Sequence, residues 1–202
     1  GRCSTRLPRY MTRKRIKDLE QCIDVTDAAA GLEYSDCYLY DNDARFVFNF
    51  IRSAMNYGAI AANYVELTEA RRQQGVWEVT AKDEISGCPV TIRARSVVNA
   101  TGAYADRLNG LLQQPTEYHH VFSKGVHLIV DKLVSSSRIL AFFASDGRLF
   151  FVIPMGAKTC IGTTDTRVDG PRADITAEDR CFVLDNINAL MDLGEPLTEA
   201  DI

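Results

Sequence analysis

The chain has 202 residues, enough for one ordinary domain or two small ones, with 46% hydrophobic and 25% charged residues, as in a globular protein with a real core. Its net charge of −4 and pI near 5.4 give no electrostatic reason to expect a nucleic-acid partner. No apolar run reaches the roughly 20 residues that span a bilayer, nothing in the first residues reads as a signal peptide, and six cysteines without a CxxC pair supply neither a disulfide framework nor a cysteine metal site.

Residues 10–23 have helical spacing, with Ile16, Leu19 and Ile23 on one side. The basic stretch over 9–17 reads first as a solvated helix face and second as a contact for an anionic partner or a membrane surface. Residues 32–40 alternate and are rich in aromatics, which predicts a strand. Asp41, Asn42 and Asp43 then cap a strong helix running to Tyr57. Phe46, Val47, Phe50, Ile51, Ala54 and Met55 form its apolar stripe, and Gly58 stops it. Strands follow over 59–67, 75–81 and 89–95, a three-stranded meander with a turn at Ser86-Gly87. Residues 96–102 read as a short buried strand entering a tight turn, and 103–112 as a helix. From His119 the pattern is β: strands over 119–130, 138–143, 148–153 and 159–162, with a hairpin turn at 145–148. Thr176, with Asp179 three residues on, caps a last helix by a variant of the capping box. Cys37, Cys160 and Cys181 lie among apolar residues and read as small buried hydrophobes, which suits a reducing compartment. Meander, helices and antiparallel strands in this order predict an α+β fold rather than a continuous doubly wound sheet.

Four segments could carry chemistry. Val97 to Gly102 ends an apolar strand in small residues, so the backbone at Ala100, Thr101 and Gly102 can approach a ligand such as part of a dinucleotide; any strand-to-helix turn could look the same. In Ser123-Lys124-Gly125-Val126-His127, alternation puts Lys124 and Val126 on one face and Ser123, Gly125 and His127 on the other. Lys124 could meet a phosphate, or face solvent. Arg148 could clamp an anion, or be an ordinary turn arginine. Thr163 and Thr164, before Asp165, could orient a polar substrate, or close an Asx/ST turn. Three histidines without metal-ligand spacing argue against zinc, and no Gly-x-Gly-x-x-Gly, P-loop, nucleophile elbow or HExxH occurs.

In order, however, the segments resemble those of FAD-dependent glycerol-3-phosphate dehydrogenases. Gly31 to Cys37 (GLEYSDC) is similar to the family's G-[FL]-E-Y-S-D-C, and Asp41 to Arg45 to its D-D-A-R-L helix start, with one extra residue. Gly75 to Val79 is similar to G-x-W-x-V, and Val97 to Asp106 to V-V-N-A-T-G-P-W-A-D, with Ala103 in place of the proline. Ser123 to Val130 is similar to the K-G-x-H strand, Asp146 to Pro154 to D-x-R-x-F-F-V-I-P, and Ile161 to Asp165 to I-G-T-T-D. The likeness runs over about 31–188; residues 1–30, helical in pattern, match poorly.

The resemblance implies a flavoprotein of the D-amino-acid oxidase-like plan. An antiparallel-sheet substrate domain would come from 31–40 and 113–175, partial FAD-domain elements (helix, meander and turn) from 41–112, and a terminal helix from 176–202. It implies that Ala100, Thr101 and Gly102 pack near FAD, and that the strand with Lys124 and His127 faces flavin and substrate, with Arg148, Thr163 and Thr164 as further substrate-side candidates. The catalytic base is not assigned. The family's glycine-rich FAD loop and its downstream phosphate-binding segments are missing from these 202 residues. Both ends therefore read as cuts in a longer chain, and the piece alone is expected not to hold FAD or turn over. The intact enzyme would oxidise glycerol 3-phosphate to dihydroxyacetone phosphate, reduce a quinone, and sit peripherally on the cytoplasmic side of the cytoplasmic membrane. A glycerol-3-phosphate oxidase, or a non-catalytic ligand-binding or assembly module, is the alternative.

Overall fold

Apolar residues alternate along 126–130 and 150–152, and this pattern decides the larger half of the fold. The structure is a computed structural model and describes residues 6–37, 39 and 43–202, the side chain of Thr164 excepted. The chain divides into two compact units, one formed by residues 1–36 with 121–202 and the other by 37–120.

In the first unit, β1 (Arg9–Met11) pairs antiparallel with β2 (Gly31–Glu33), and α1 (Arg13–Leu19) lies between them in sequence. The helix expected over 10–23 is shorter because Thr12 takes an extended conformation and caps α1 from the Arg15 N–H, which leaves 9–11 free to pair. The strand expected over 32–40 ends at Glu33, where its three-residue partner runs out. β6 (Phe122–Asp131), β7 (Leu140–Phe143), β8 (Leu149–Met155) and β9 (Lys158–Val168) form an antiparallel sheet in the order β6-β9-β8-β7.

One face of that sheet packs on α4 (Ala177–Leu190), which opens with the expected capping box between Thr176 and Asp179. Phe150, Val152 and Ile161 from the sheet and Ile187 from α4 are fully buried, each worth about 1.5–3 kcal/mol of burial. An isolated bridge pairs Ile23 with Met191, adding the segment after α1 to this core. Arg138 reaches across from the β6–β7 connection, donating to the buried Glu20 carboxylate and to Glu33, which also receives Arg9. These two arginines, Arg138 first, hold the Glu33 carboxyl below the usual range.

The second unit opens with α2 (Asp43–Asn56), where Gly58 follows in the left-handed region at φ 91° and donates to the Met55 carbonyl. Asp41 and Asn42, read as its caps, lie outside the described residues. The meander is β3 (Val65–Gln73), β4 (Val76–Asp83) and β5 (Pro89–Ala94) in that order. The first strand begins and ends later than the expected 59–67. It continues through a charged stretch because Gln74 and Gly75, both at positive φ, form a two-residue turn that keeps it paired with β4. Trp77, Val79, Ala70 and Leu112 make the small core, with Leu108 of α3 (Ala105–Leu111) packed on it. The strand expected over 96–102 does not form: these residues pair with no named strand, and Val98 is 85% exposed. The cysteine reading also needs correction. Cys160 is half-buried and burial raises its thiol pKa, but Cys37 and Cys181 are exposed.

Candidate functional site

The sheet in the first unit has two unlike faces. Toward α4 point Lys124, Val126, Leu128 and Val130 of β6; away from it point Ser123, Gly125, His127 and Ile129, as strict alternation requires. The strand pairing carries this across the sheet. His127 lies opposite Gly162, which lies opposite Phe151; Ile129 lies opposite Cys160, which lies opposite Ile153. On this outward face His127 is exposed, and Ile129, Phe143, Leu149 and Met155 are 45–73% exposed.

The sequence candidates divide between the two faces. Lys124 is on the α4 side, where its ammonium donates to the Asp179 carboxylate at 2.5 Å and to the Asp174 carbonyl. The pair is largely buried, with side chains 15% and 14% exposed, and Lys124 is the main reason that the Asp179 carboxyl sits below its usual range. Arg148 is on the same side. It grips Asp146 across the hairpin turn, donates to Thr166 Oγ1 at 2.7 Å, and lies with its guanidinium carbon 4.8 Å from the Phe182 ring centroid of α4. Thr163 is buried there too, its hydroxyl donating to the Leu149 carbonyl at 2.6 Å. His127 stands apart from these three, on the open face. Thr164 lies in β9, beside the place where Lys124 pairs with Thr166 and Val126 with Thr163; positions 164 and 165 thus stand together opposite Gly125, a β-bulge that turns Thr166 back toward α4.

Gly162 was not singled out by the sequence, although it is what lets His127 lie where it does. A Cβ there would fall 2.1 Å from the Val126 carbonyl oxygen and 2.9 Å from His127 Cδ2. The β6 backbone, with the imidazole beside it, occupies the space that any side chain at 162 would need. The I-G-T-T-D segment carried this signal, since a glycine inside a strand marks a close approach.

In the second unit, Ala100, Thr101 and Gly102 are exposed at the start of a short 3-10 turn (Gly102–Tyr104) leading into α3. Asn99 builds this turn. Its amide nitrogen donates to the Ala105 carbonyl and to Asn109 Oδ1, and its oxygen accepts from the Thr101 hydroxyl and N–H. Gly102 has φ 55°, and nothing lies within 4 Å of the place where its Cβ would be. The turn is therefore fixed from behind and open in front, which fits one edge of a dinucleotide; a helix N-terminus with a glycine-rich loop, the usual pyrophosphate cradle, does not occur in this sequence. Beside it, Asp106 accepts from the His120 backbone N–H, the largest cause of its lowered pKa, with the imidazoles of His120 and His119 at 3.3 and 3.7 Å. Among the described residues no group of three histidine, cysteine or acidic side chains is placed to hold a metal ion, and no helix is long and apolar enough to cross a membrane.

The chain is thus an α+β protein with one open antiparallel sheet face and an exposed backbone turn of small residues, and its class is given by comparison with known families. The family of FAD-dependent oxidoreductases typified by D-amino-acid oxidase matches residues 2–201, and the chain belongs to it. The match includes residues 2–30, which sequence motifs alone left out. Glycerol-3-phosphate dehydrogenase 2 of Mycobacterium tuberculosis (strain H37Rv) is 31% identical over all of this chain and 34% of its own length. The alpha-glycerophosphate oxidase of Streptococcus pyogenes serotype M6 is 33% identical over 87% of this chain and 29% of its own. The chain thus spans about a third of the length of these relatives. Among solved structures, the L-proline dehydrogenase of P. horikoshii superimposes over 91% of this chain and 48% of its own with a TM-score of 0.57 at 14% identity, a likeness of fold.

Proposed function

We propose that the protein containing this chain oxidises glycerol 3-phosphate to dihydroxyacetone phosphate with FAD. The observation that carries this reading is similarity to glycerol-3-phosphate dehydrogenases over the whole of these 202 residues, about a third of the relative's length, joined to an exposed histidine on a sheet face whose middle is apolar, with Ile129, Phe151 and Ile153 around it. In this reaction the C2 hydrogen leaves as hydride and the C2 hydroxyl gives up a proton. FAD, when bound, supplies the hydride acceptor. His127 on the outward face receives the hydroxyl proton, the general-base task that imidazoles most often perform. Ile129, Phe151 and Ile153 beside it exclude water from the reacting carbon. Ala100, Thr101 and Gly102 form one wall of the cofactor site through their backbone. Lys124, Arg148 and Thr163 hold α4 and the sheet together, so the substrate phosphate is left to other cations.

We take the acceptor of the electrons to be a quinone, with the protein on the cytoplasmic side of the cytoplasmic membrane. An oxidase that reduces oxygen is favoured instead by the similarity to the streptococcal enzyme. Anaerobic mixing of the full-length protein with glycerol 3-phosphate tests the main reading. Bleaching of the flavin with stoichiometric dihydroxyacetone phosphate is expected, and an unreduced flavin would overturn it. Oxygen uptake against quinone reduction in the same preparation separates the two acceptors. Residues 1–202 alone are expected to bind no FAD and to give no turnover.

A further inference from the structure

We infer that the apolar face of α2 is an intramolecular docking surface, covered in the whole protein by polypeptide lying outside residues 1–202. α2 has 14 residues and none of them is buried. Phe46, Val47, Phe48, Phe50, Ile51 and Met55 are 44–63% exposed. At 100° per residue these six, with Ala44 and Ala54, fill more than half the circumference, interrupted only by Asp43 at the first position, and Arg45, Asn49, Arg52, Ser53 and Asn56 are gathered on the remainder. A face so wide is that of a helix packed on more than one side. A helix lying on a lipid surface carries a strongly charged opposite face, and α2 has two arginines there, diluted by asparagine and serine. Phe46 and Phe50 already pack edge to face at 5.0 Å, forming a preset aromatic knob.

Two further observations select the occupant. Residues 96–102 of the same unit have the composition of a buried strand, yet they pair with no named strand and Val98 is 85% exposed. A helix and a segment of strand-like composition in one unit therefore both lack their complements, which a single further layer of the same domain would supply. The chain also spans only 34% of a relative that it matches from end to end, and 48% of the structure that shares its fold. Most of the polypeptide available to cover α2 therefore lies outside these residues. A second copy of the chain, or lipid, would leave the unpaired segment 96–102 unexplained.

The test uses the full-length protein with a benzophenone amino acid in place of Phe50, irradiated and mapped by mass spectrometry. Cross-links are expected to peptides of the same polypeptide outside residues 1–202. Cross-links within 1–202, to a second copy, or to added phospholipid vesicles would each overturn the inference. Hydrogen exchange supplies an independent readout. An unpacked helix of this length is marginal in water and exchanges within about tenfold of the coil rate, whereas a covered one is slowed by at least about 1,000-fold. Slow exchange over 46–55 in the monomer is expected; near-coil rates, or slowing that grows with protein concentration, would contradict it.

Discussion

α2 and α4 each have 14 residues, and they have opposite fates. α4 buries Val183, Leu184, Asn186 and Ile187 on the sheet of its own unit, and its first turn is tied by Thr176, Asp179 and Lys124. α2 has the wider apolar face and buries nothing within these 202 residues. Amphipathic spacing thus states that a helix face needs a cover, but it cannot say whether the cover is encoded nearby. The same contrast separates the two faces of the large sheet. One is closed by α4 and consumes Lys124, Arg148 and Thr163 in structural bonds; the other keeps His127 accessible.

Substitutions that shave both helices sharpen this contrast most. Ile187→Ala, at a fully buried position, is expected to cost about 4 kcal/mol, within the range for a large-to-small core change. Ile51→Ala should cost a similar amount in the full-length protein if α2 is covered there, and under about 0.5 kcal/mol if it stays bare. Urea unfolding of both variants decides between these. Asp179→Ala leaves Lys124 without its carboxylate in a largely buried setting, with an expected loss of about 3 kcal/mol, the low end for breaking a buried pair.

The pH dependence of that pair has a definite sign. Asp179 has a folded pKa below its unfolded value. Its contribution is therefore fully present above the unfolded pKa near about 3.9, and it is lost as pH falls through the folded pKa. Asp179→Asn should narrow the stability difference between neutral and acid pH; an unchanged difference would remove the pair from the account. Thr176→Ala, which deletes one half of the capping box, should cost about 1 kcal/mol, with unfolding midpoints as the readout.

Local rules made much of this legible. The Thr176–Asp179 capping box, the end of α2 at Gly58 and the alternation that separates Lys124 from His127 all follow from spacings of two to four residues. Features set by distant partners were not legible. Lys124 meets Asp179 from 55 positions away, and Arg148 meets Thr166 and Phe182 on other elements. A cation in a strand reads alike whether it serves a substrate or a helix terminus. The extent of β3 was missed because its outward face is charged and only the turn at Gln74-Gly75 keeps it paired. The bulge that redirects Thr166 has no sequence mark beyond the glycine opposite it.

The division between the sheet faces is tested most directly by the rate of flavin reduction in the full-length protein under anaerobic single turnover with glycerol 3-phosphate. His127→Asn is expected to slow that step by about 10²–10⁴-fold, the usual worth of a positioned proton acceptor, while Arg148→Met, on the α4 side, lowers stability and leaves the step within about threefold of the parent. Wild-type reduction by His127→Asn, or a loss in Arg148→Met as large as that expected of His127→Asn, would contradict the placement of the reacting face.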